Sequence, residues 1–211
     1  MQAWSHLLDT PQLLALAAAL GWASGFRLYA AVFITGMAGY LGWIVLPSGL
    51  QVLQHPAVLS ASGFMLFIEF FADKIPLVDS LWDMVHTVIR IPAGAALAAG
   101  ALGADGTTMT WVAALLGGTL AATSHATKMT ARAAVNTSPE PFSNVLLSLF
   151  EDGLVVGAMW LAATHPVIFG IALCFTLVLM VLLLMLLWRF LKAVASKLSQ
   201  FFSGAKAPQG T

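Results

Sequence analysis

Near the C-terminal end of the chain, residues 167–188 read VIFGIALCFTLVLMVLLLMLLW, with no charged residue among them. As a helix, about 20 such residues match the roughly 30 Å hydrocarbon layer of a bilayer. In water a helix that is apolar all round must be wrapped on every side by other protein. The rest of the chain is no better able to face water. Of its 211 residues, 60% are hydrophobic and 9% charged, against roughly a quarter charged in soluble domains. The sequence therefore predicts an all-α integral membrane bundle.

Turn residues divide the chain into about six transmembrane segments. The first covers 12–40, with glycines at 21 and 25, and is followed by a loop at 46–57 marked by Pro47, Gly49 and Pro56. The second covers 62–84 with Pro76 inside it, and the third is short, 86–102. GADGTTMT forms a turn before the fourth, 111–135, and NTSPEP breaks the chain before the fifth, 142–163. The sixth follows Pro166. Residues 1–200 form one transmembrane domain, and 201–211 are expected to be a disordered cytoplasmic tail. RFLKAVASKLSQFF is amphipathic and is expected to lie along the inner membrane surface.

Arg189, Lys192, Lys197 and Lys206 follow the sixth segment, and no acidic residue follows Asp152. This excess predicts a cytoplasmic C-terminus, and with six crossings a cytoplasmic N-terminus. The opening MQAWSHLLDTPQ has neither a positive n-region nor a convincing cleavage site, so no removable signal peptide is expected.

The two halves, 11–105 and 111–195, align with each other. GFRLYAAVFIT lies over ATKMTARAAVN, which pairs Arg27 with Lys128. FFADKIP lies over LFEDGLV, pairing Asp73 with Asp152, and HTVIRIPAGAA lies over HPVIFGIALCF, pairing His86 with His165. Two halves of three spans each must run in opposite senses. Inverted repeats of this kind recur in secondary transporters, with the site at the repeat interface.

Ionisable groups within spans are costly and point to function by default. Arg27 falls in the first span, with Tyr29 beside it. Glu69 and Asp73 share one face of the second, and Asp79, Asp83, His86 and Arg90 continue at helical spacings. His125, Lys128 and Arg132 form a stripe on the fourth, with Asn136 just beyond it. Glu151 and Asp152 lie in the fifth. The acids of spans two and five are expected to meet the bases of spans one and four. They would do so around a hydrated cavity that binds an ion or charged solute. The structural alternatives are a salt-bridge network that only fixes packing and, for Asp79 to Arg90, an amphipathic segment at the membrane surface.

Other chemistry finds little support. Net charge is zero, which gives no sign of a nucleic-acid partner. The single cysteine, Cys174, rules out an intrachain disulfide. His86 and His125 lack any metal-binding spacing, so neither a metal nor a cofactor is expected. Ser24 and Ser124 lack the context of a nucleophile, and no catalytic residue is assigned. Gly21 and Gly25, four apart, suit close helix approach within the chain, and a homo-oligomer stays open.

The stretches GWASGFRLYAAVFITGMAGYLGW, FFADKIPLVDSLWDMVHTVIRIPAGA and HATKMTARAAVNTSPEPFSN resemble the bacterial membrane-protein family called domain of unknown function 4126. The likeness extends from about Leu14 to the sixth span. It implies a small polytopic protein of the bacterial inner membrane and no established activity. The family motifs fall on Arg27, Tyr29, Asp73, Lys74, Pro76, Asp79, Asp83, Lys128, Arg132, Asn136, Ser138, Pro139 and Glu140.

The leading expectation is a small secondary transporter or permease. Arg27, Lys128 and Arg132 would engage anionic groups or pair with the acids, and Glu69, Asp73 and Asp152 would serve as coupling carboxylates. A membrane scaffold or assembly partner is the alternative from another class. A third is a lipid flippase or lipid-phosphate-handling protein, with a headgroup near Arg27 and Lys128.

Overall fold

The computed structural model describes residues 9–75, 77–103, 106–137 and 142–204, with only the backbone of 198 and 200–204. Every regular element among them is helical. α1 is Thr10–Tyr40, and a short 3-10 helix, Ser48–Gln54, leads into α2, Pro56–Ala72. α3 is Val78–Leu102, α4 Thr107–Val135, α5 Phe142–Thr164 and α6 Pro166–Gly204.

α1 begins at a capping box. The Asp9 carboxylate accepts from the Gln12 amide while the Gln12 side chain accepts from the Asp9 N–H, and Pro11 occupies the first turn. This pairing satisfies amides that a helix start leaves open. α1 then packs against every other helix, and its most apolar stretch is 72% buried, against 11% for α6. The first helix is thus the core of the bundle and the last its rim. The greasiest segment lies outermost because lipid, not protein, is the solvent it suits.

Small residues set the distance between α1, α3 and α4. A Cβ placed on Gly21 would stand 2.7 Å from the Gly117 Cα, and one on Gly25 would collide with Ser124 Oγ and the Ala121 carbonyl. A Cβ on Gly94 would collide with Ser24 Oγ. Between membrane helices, where no hydrophobic gain drives association, such close approach supplies the packing.

Four helices, α1, α3, α5 and α6, are long and apolar enough to cross a membrane. The 3-10 helix with α2, bent by 70°, makes a fifth if counted as one span. The expected six included α4, which reaches 29 residues but is less apolar. The residues that lower its hydropathy are turned inward: Ser124, His125, Thr127, Lys128 and Arg132 are buried, while Trp111, Leu115 and Leu116 are exposed. The chain is an all-α membrane helical bundle.

Three boundaries differ from the sequence expectation. The second segment is not one helix from 62 to 84. α2 ends at Ala72, and α3 starts at Val78 and continues past His86 without interruption. Pro76 itself lies outside the described residues. Leu77, just before α3, takes φ 72, a left-handed turn that costs a branched side chain about 1–2 kcal/mol. The 46–57 loop contains the 3-10 helix, whose Leu50 and Leu53 are buried. Residues 189–202 do not form a separate surface helix, because α6 continues unbroken to Gly204. At 1.5 Å per residue its 39 residues span about 58 Å, roughly twice the hydrocarbon thickness. Of the expected disordered tail, 201–204 are helical and 205–211 lie outside the described residues.

Candidate functional site

Two chain breaks meet inside the bundle. α1 is interrupted at Arg27, whose φ of −142° and ψ of 76° are not helical. The other break is Asp73–Leu77, between α2 and α3. The Arg27 guanidinium pairs with the Asp73 carboxylate, so a side chain from one break holds a side chain from the other. An interrupted helix leaves backbone carbonyls without their usual amide partners. α4 supplies replacements here: Lys128 Nζ donates to the Phe26 carbonyl at 3.1 Å, and His125 Nδ1 lies 3.3 Å from the Gly25 carbonyl.

Around Arg27 and Asp73 lies a buried network of charge. Asp73 Oδ2 faces three cations: Arg27, Lys128 at 2.7 Å and Arg132 at 3.5 Å. Arg132 also donates to the Asp73 carbonyl and, at 2.9 Å, to Glu151 Oε2. Lys128 reaches Asp83 Oδ1 at 3.1 Å. Asp83 in turn pairs with Arg90 at 2.7 Å, and Arg90 with Glu69 at 2.5 Å. On α5, Ser148 accepts from Arg27 at 2.8 Å, and Asp152 Oδ1 lies 2.9 Å from Arg27 Nε.

Arg27, Glu69, Asp73, Asp79, Asp83, Arg90, Lys128, Arg132 and Glu151 are each 2% exposed or less. The charged face of Asp79 to Arg90 is thus turned into the bundle. Lys74 and Asp152, with side chains 17% and 25% exposed and 3.9 Å apart, form the outer edge.

Polar side chains extend the network at one end. Asp79 accepts from Asn136 Nδ2 at 3.2 Å, and Asn136 Oδ1 accepts from Asn144 at 2.6 Å. Asp79 also accepts from the Ser80 amide at 2.6 Å. At the other end His125 Nδ1 lies 3.4 Å from Arg90 Nη1, and His125 Nε2 lies 2.7 Å from the Thr87 hydroxyl. Tyr29 stands aside from the ion pairs. Its hydroxyl lies 3.0 Å from His86 Nε2, while His86 Nδ1 lies 2.7 Å from the Trp82 carbonyl. The carbonyl can only accept, so Nδ1 carries the proton and Tyr29 donates to Nε2.

The pairing is unequal. Five fully buried acids, Glu69, Asp73, Asp79, Asp83 and Glu151, face four fully buried bases, Arg27, Arg90, Lys128 and Arg132. The edge adds one of each sign, Asp152 and Lys74. With every group ionised, one negative charge is in excess. Glu69 Oε2, Asp73 Oδ1, Asp83 Oδ2 and Glu151 Oε1 have no hydrogen-bond partner among the described residues. A buried carboxylate oxygen without a donor is costly. The Nε atoms of Arg90 and Arg132 are without a hydrogen-bond partner among the described residues too, so it is the unmatched acid that suits a proton or a cation more than another anion.

The structure thus joins Arg27, Glu69, Asp73, Asp79, Asp83, Arg90, His125, Lys128, Arg132, Asn136, Glu151 and Asp152 into one connected cluster, while Tyr29 and His86 pair beside it. Ser138, Pro139 and Glu140 lie outside the described residues. Arg90 and Glu151, noted in the sequence as charges within spans but given no role there, are central, and Asn144 and Ser148, which the sequence reading did not name, bond Asn136 and Arg27 from α5. The signal for the last two was present: 144, 148, 151 and 152 recur at helical spacing on one face.

Two cavities lie against the cluster on either side of α5. One cavity, of about 460 Å³, lies among α4, α5 and α6 and has Lys128 and Glu151 in its wall. The other, of about 470 Å³, lies among α1, α2 and α5 and ends on Asp152.

A family model described as domain of unknown function 4126 matches residues 14–186. No curated protein and no solved structure matches the chain. With most of its length covered by the model, the chain belongs to the family of domain of unknown function 4126.

Proposed function

We propose that this family member is a small secondary transporter of the bacterial inner membrane, coupled to a proton or a monovalent cation bound in the charged cluster. The observation that carries the reading is the excess buried carboxylate together with the unpartnered oxygens of Glu69, Asp73, Asp83 and Glu151. A network built only to fix helix packing gains nothing from an unmatched acid, since each uncompensated buried charge costs several kcal/mol. A site that alternately holds and releases a cation needs such an acid. The breaks at Arg27 and at Asp73–Leu77 support the reading, because interrupted helices at a buried charged site are a recurring feature of transporters.

In this mechanism Asp73 is the common partner of Arg27, Lys128 and Arg132, and Glu151 and Asp152 stand in the walls of the two cavities. Protonating one acid cancels the excess and loosens its hold on the shared bases. The α5 contacts to Arg27 and Arg132 would then weaken together. The residues 11–105 and 111–195 act as opposed halves, with a cytoplasmic C-terminus set by Arg189, Lys192 and Lys197.

The test is flux in proteoliposomes loaded with a pH-sensitive dye and energised by a potassium diffusion potential, with sodium uptake measured in parallel. Wild type is expected to carry protons or sodium. Asp73→Asn and Asp152→Asn are each expected to reduce that flux about tenfold, the loss of one buried charge-assisted contact. Unchanged flux in both removes the coupling role.

The near-complete burial of nine charged side chains favours a second reading, a scaffold held rigid by its ion pairs. That reading predicts no flux in wild type, and a loss of abundance or of co-purifying partners in the same variants.

A further inference from the structure

The cavity among α4, α5 and α6 touches the charged cluster but offers no charge to a ligand. Lys128 and Glu151, the ionisable residues in its wall, are 1% and 2% exposed. Lys128 Nζ is engaged by Asp73 and Asp83, Glu151 Oε2 by Arg132, and Glu151 Oε1 is buried. What the cavity presents is apolar, with Leu147, Leu154, Leu179 and Leu183 among its lining. It is also open along one side. Phe150, Leu182 and Leu186, which line it too, are 64%, 53% and 65% exposed. In a membrane that open side faces hydrocarbon, where no water is available to fill it.

Length selects the occupant. The cavity follows α6 from Thr176 to Leu186, about 15 Å of helix at 1.5 Å per residue. That is half of the roughly 30 Å hydrocarbon layer, the depth of one leaflet and so the reach of one acyl chain. The half in question is the one next to the basic end of α6. Leu182, Leu186 and Arg189 fall at i, i+4 and i+7, on one stripe of the helix, and Arg189 is exposed. Lys192 and Lys197 follow it, and no acidic residue follows Asp152 in the chain. A lipid whose chain lies in the cavity therefore brings its headgroup to a wholly basic stretch, which favours a net negative phosphate over a zwitterion.

We infer that the cavity among α4, α5 and α6 is a binding site for one anionic phospholipid, whose acyl chain fills the space between α5 and α6 and whose phosphate is held by Arg189. The bound chain completes the wall beside Lys128 and Glu151 and closes the charged cluster on its lipid side. The site stands whether or not the cluster transports.

The test is equilibrium binding of radiolabelled phosphatidylglycerol to the delipidated full chain in maltoside detergent, with unlabelled phosphatidylethanolamine as the zwitterionic competitor. Saturable binding of one phosphatidylglycerol per chain is expected, with phosphatidylethanolamine a weak competitor. Leu183→Trp, which fills the cavity from α6 without touching any charge, is expected to weaken binding at least about tenfold. Arg189→Gln, at an exposed position, is expected to lower the preference for phosphatidylglycerol about fivefold, the worth of one basic residue at an anionic surface. Leu115→Trp, on the exposed face of α4, is expected to bind as wild type. Binding unaffected by the Leu183 change, or equal competition by the two lipids in wild type, overturns the inference. So does a wild-type dimer that Leu183→Trp dissociates, since a second copy would then occupy the groove.

Discussion

Asp73 concentrates the electrostatics of the molecule on one oxygen atom. Its Oδ2 faces Arg27, Lys128 and Arg132, and all four side chains are 1% exposed or less. Removing one member of a buried ion pair costs about 3–5 kcal/mol, because the partner's charge stays buried without compensation. Asp73→Asn is therefore expected to destabilise the protein by about that amount, read as a lower midpoint of thermal unfolding in detergent by tryptophan fluorescence. Asp152→Asn should cost less than about 1 kcal/mol, since Asp152 is 25% exposed and Arg27 keeps Asp73 and Ser148. Equal costs at the two positions would show that Asp73 is not the hub. Much of this cluster is legible as residue types, because charges inside apolar segments stand out in any reading of the sequence. Their pairing is not legible. Which acid meets which base depends on three-dimensional register among five elements, and Tyr29, adjacent to the cluster in sequence, turns to His86 instead.

At the scale of helices, what decides the packing is where a side chain is missing. α1 and α4 meet at Gly21 and Gly25, where a Cβ would run into Gly117, Ala121 and Ser124. Gly25→Ala is expected to cost about 1–3 kcal/mol, the usual penalty of overpacking a tight contact. Gly153→Ala on α5, where a Cβ meets nothing within 4 Å, should be neutral or stabilising by up to about 1 kcal/mol through helix propensity. Thermal midpoints of the two variants in one detergent check the contrast, and similar values for both would sink it. The spacing of Gly21 and Gly25 announced the close approach but not its partner. The break at Asp73–Leu77 was announced by Pro76, since a residue before proline disfavours the helical region. The break at Arg27 had no such signal. GFRLY contains no proline, and the backbone departs from helix there while Asp73 and partners on α4 and α5 hold the side chain and the freed carbonyls.

For the whole molecule, the number of crossings follows from how α4 is counted. By length and composition four helices qualify as spans, or five with the bent pair. An apolarity criterion undervalues a helix that faces protein, because its polar residues never meet lipid. α4 lies against α1 and α3 and exposes Trp111, Leu115 and Leu116 outward while it buries Lys128 and Arg132. On that ground we propose that α4 crosses too, which brings the total with the bent pair to six. Six crossings would put both ends on one side, which the excess of Arg189, Lys192 and Lys197 after the sixth predicts to be the cytoplasm. If α4 does not cross, the ends lie on opposite sides. Single-cysteine labelling separates the cases: with Cys174 replaced by serine, cysteines are placed at Thr10 and at Ser196 in turn. A membrane-impermeant maleimide applied to intact spheroplasts is expected to label neither, and to label both after lysis. Labelling of only one end before lysis would place α4 outside the span count. It would also remove the basis for treating 11–105 and 111–195 as opposed halves of three spans each.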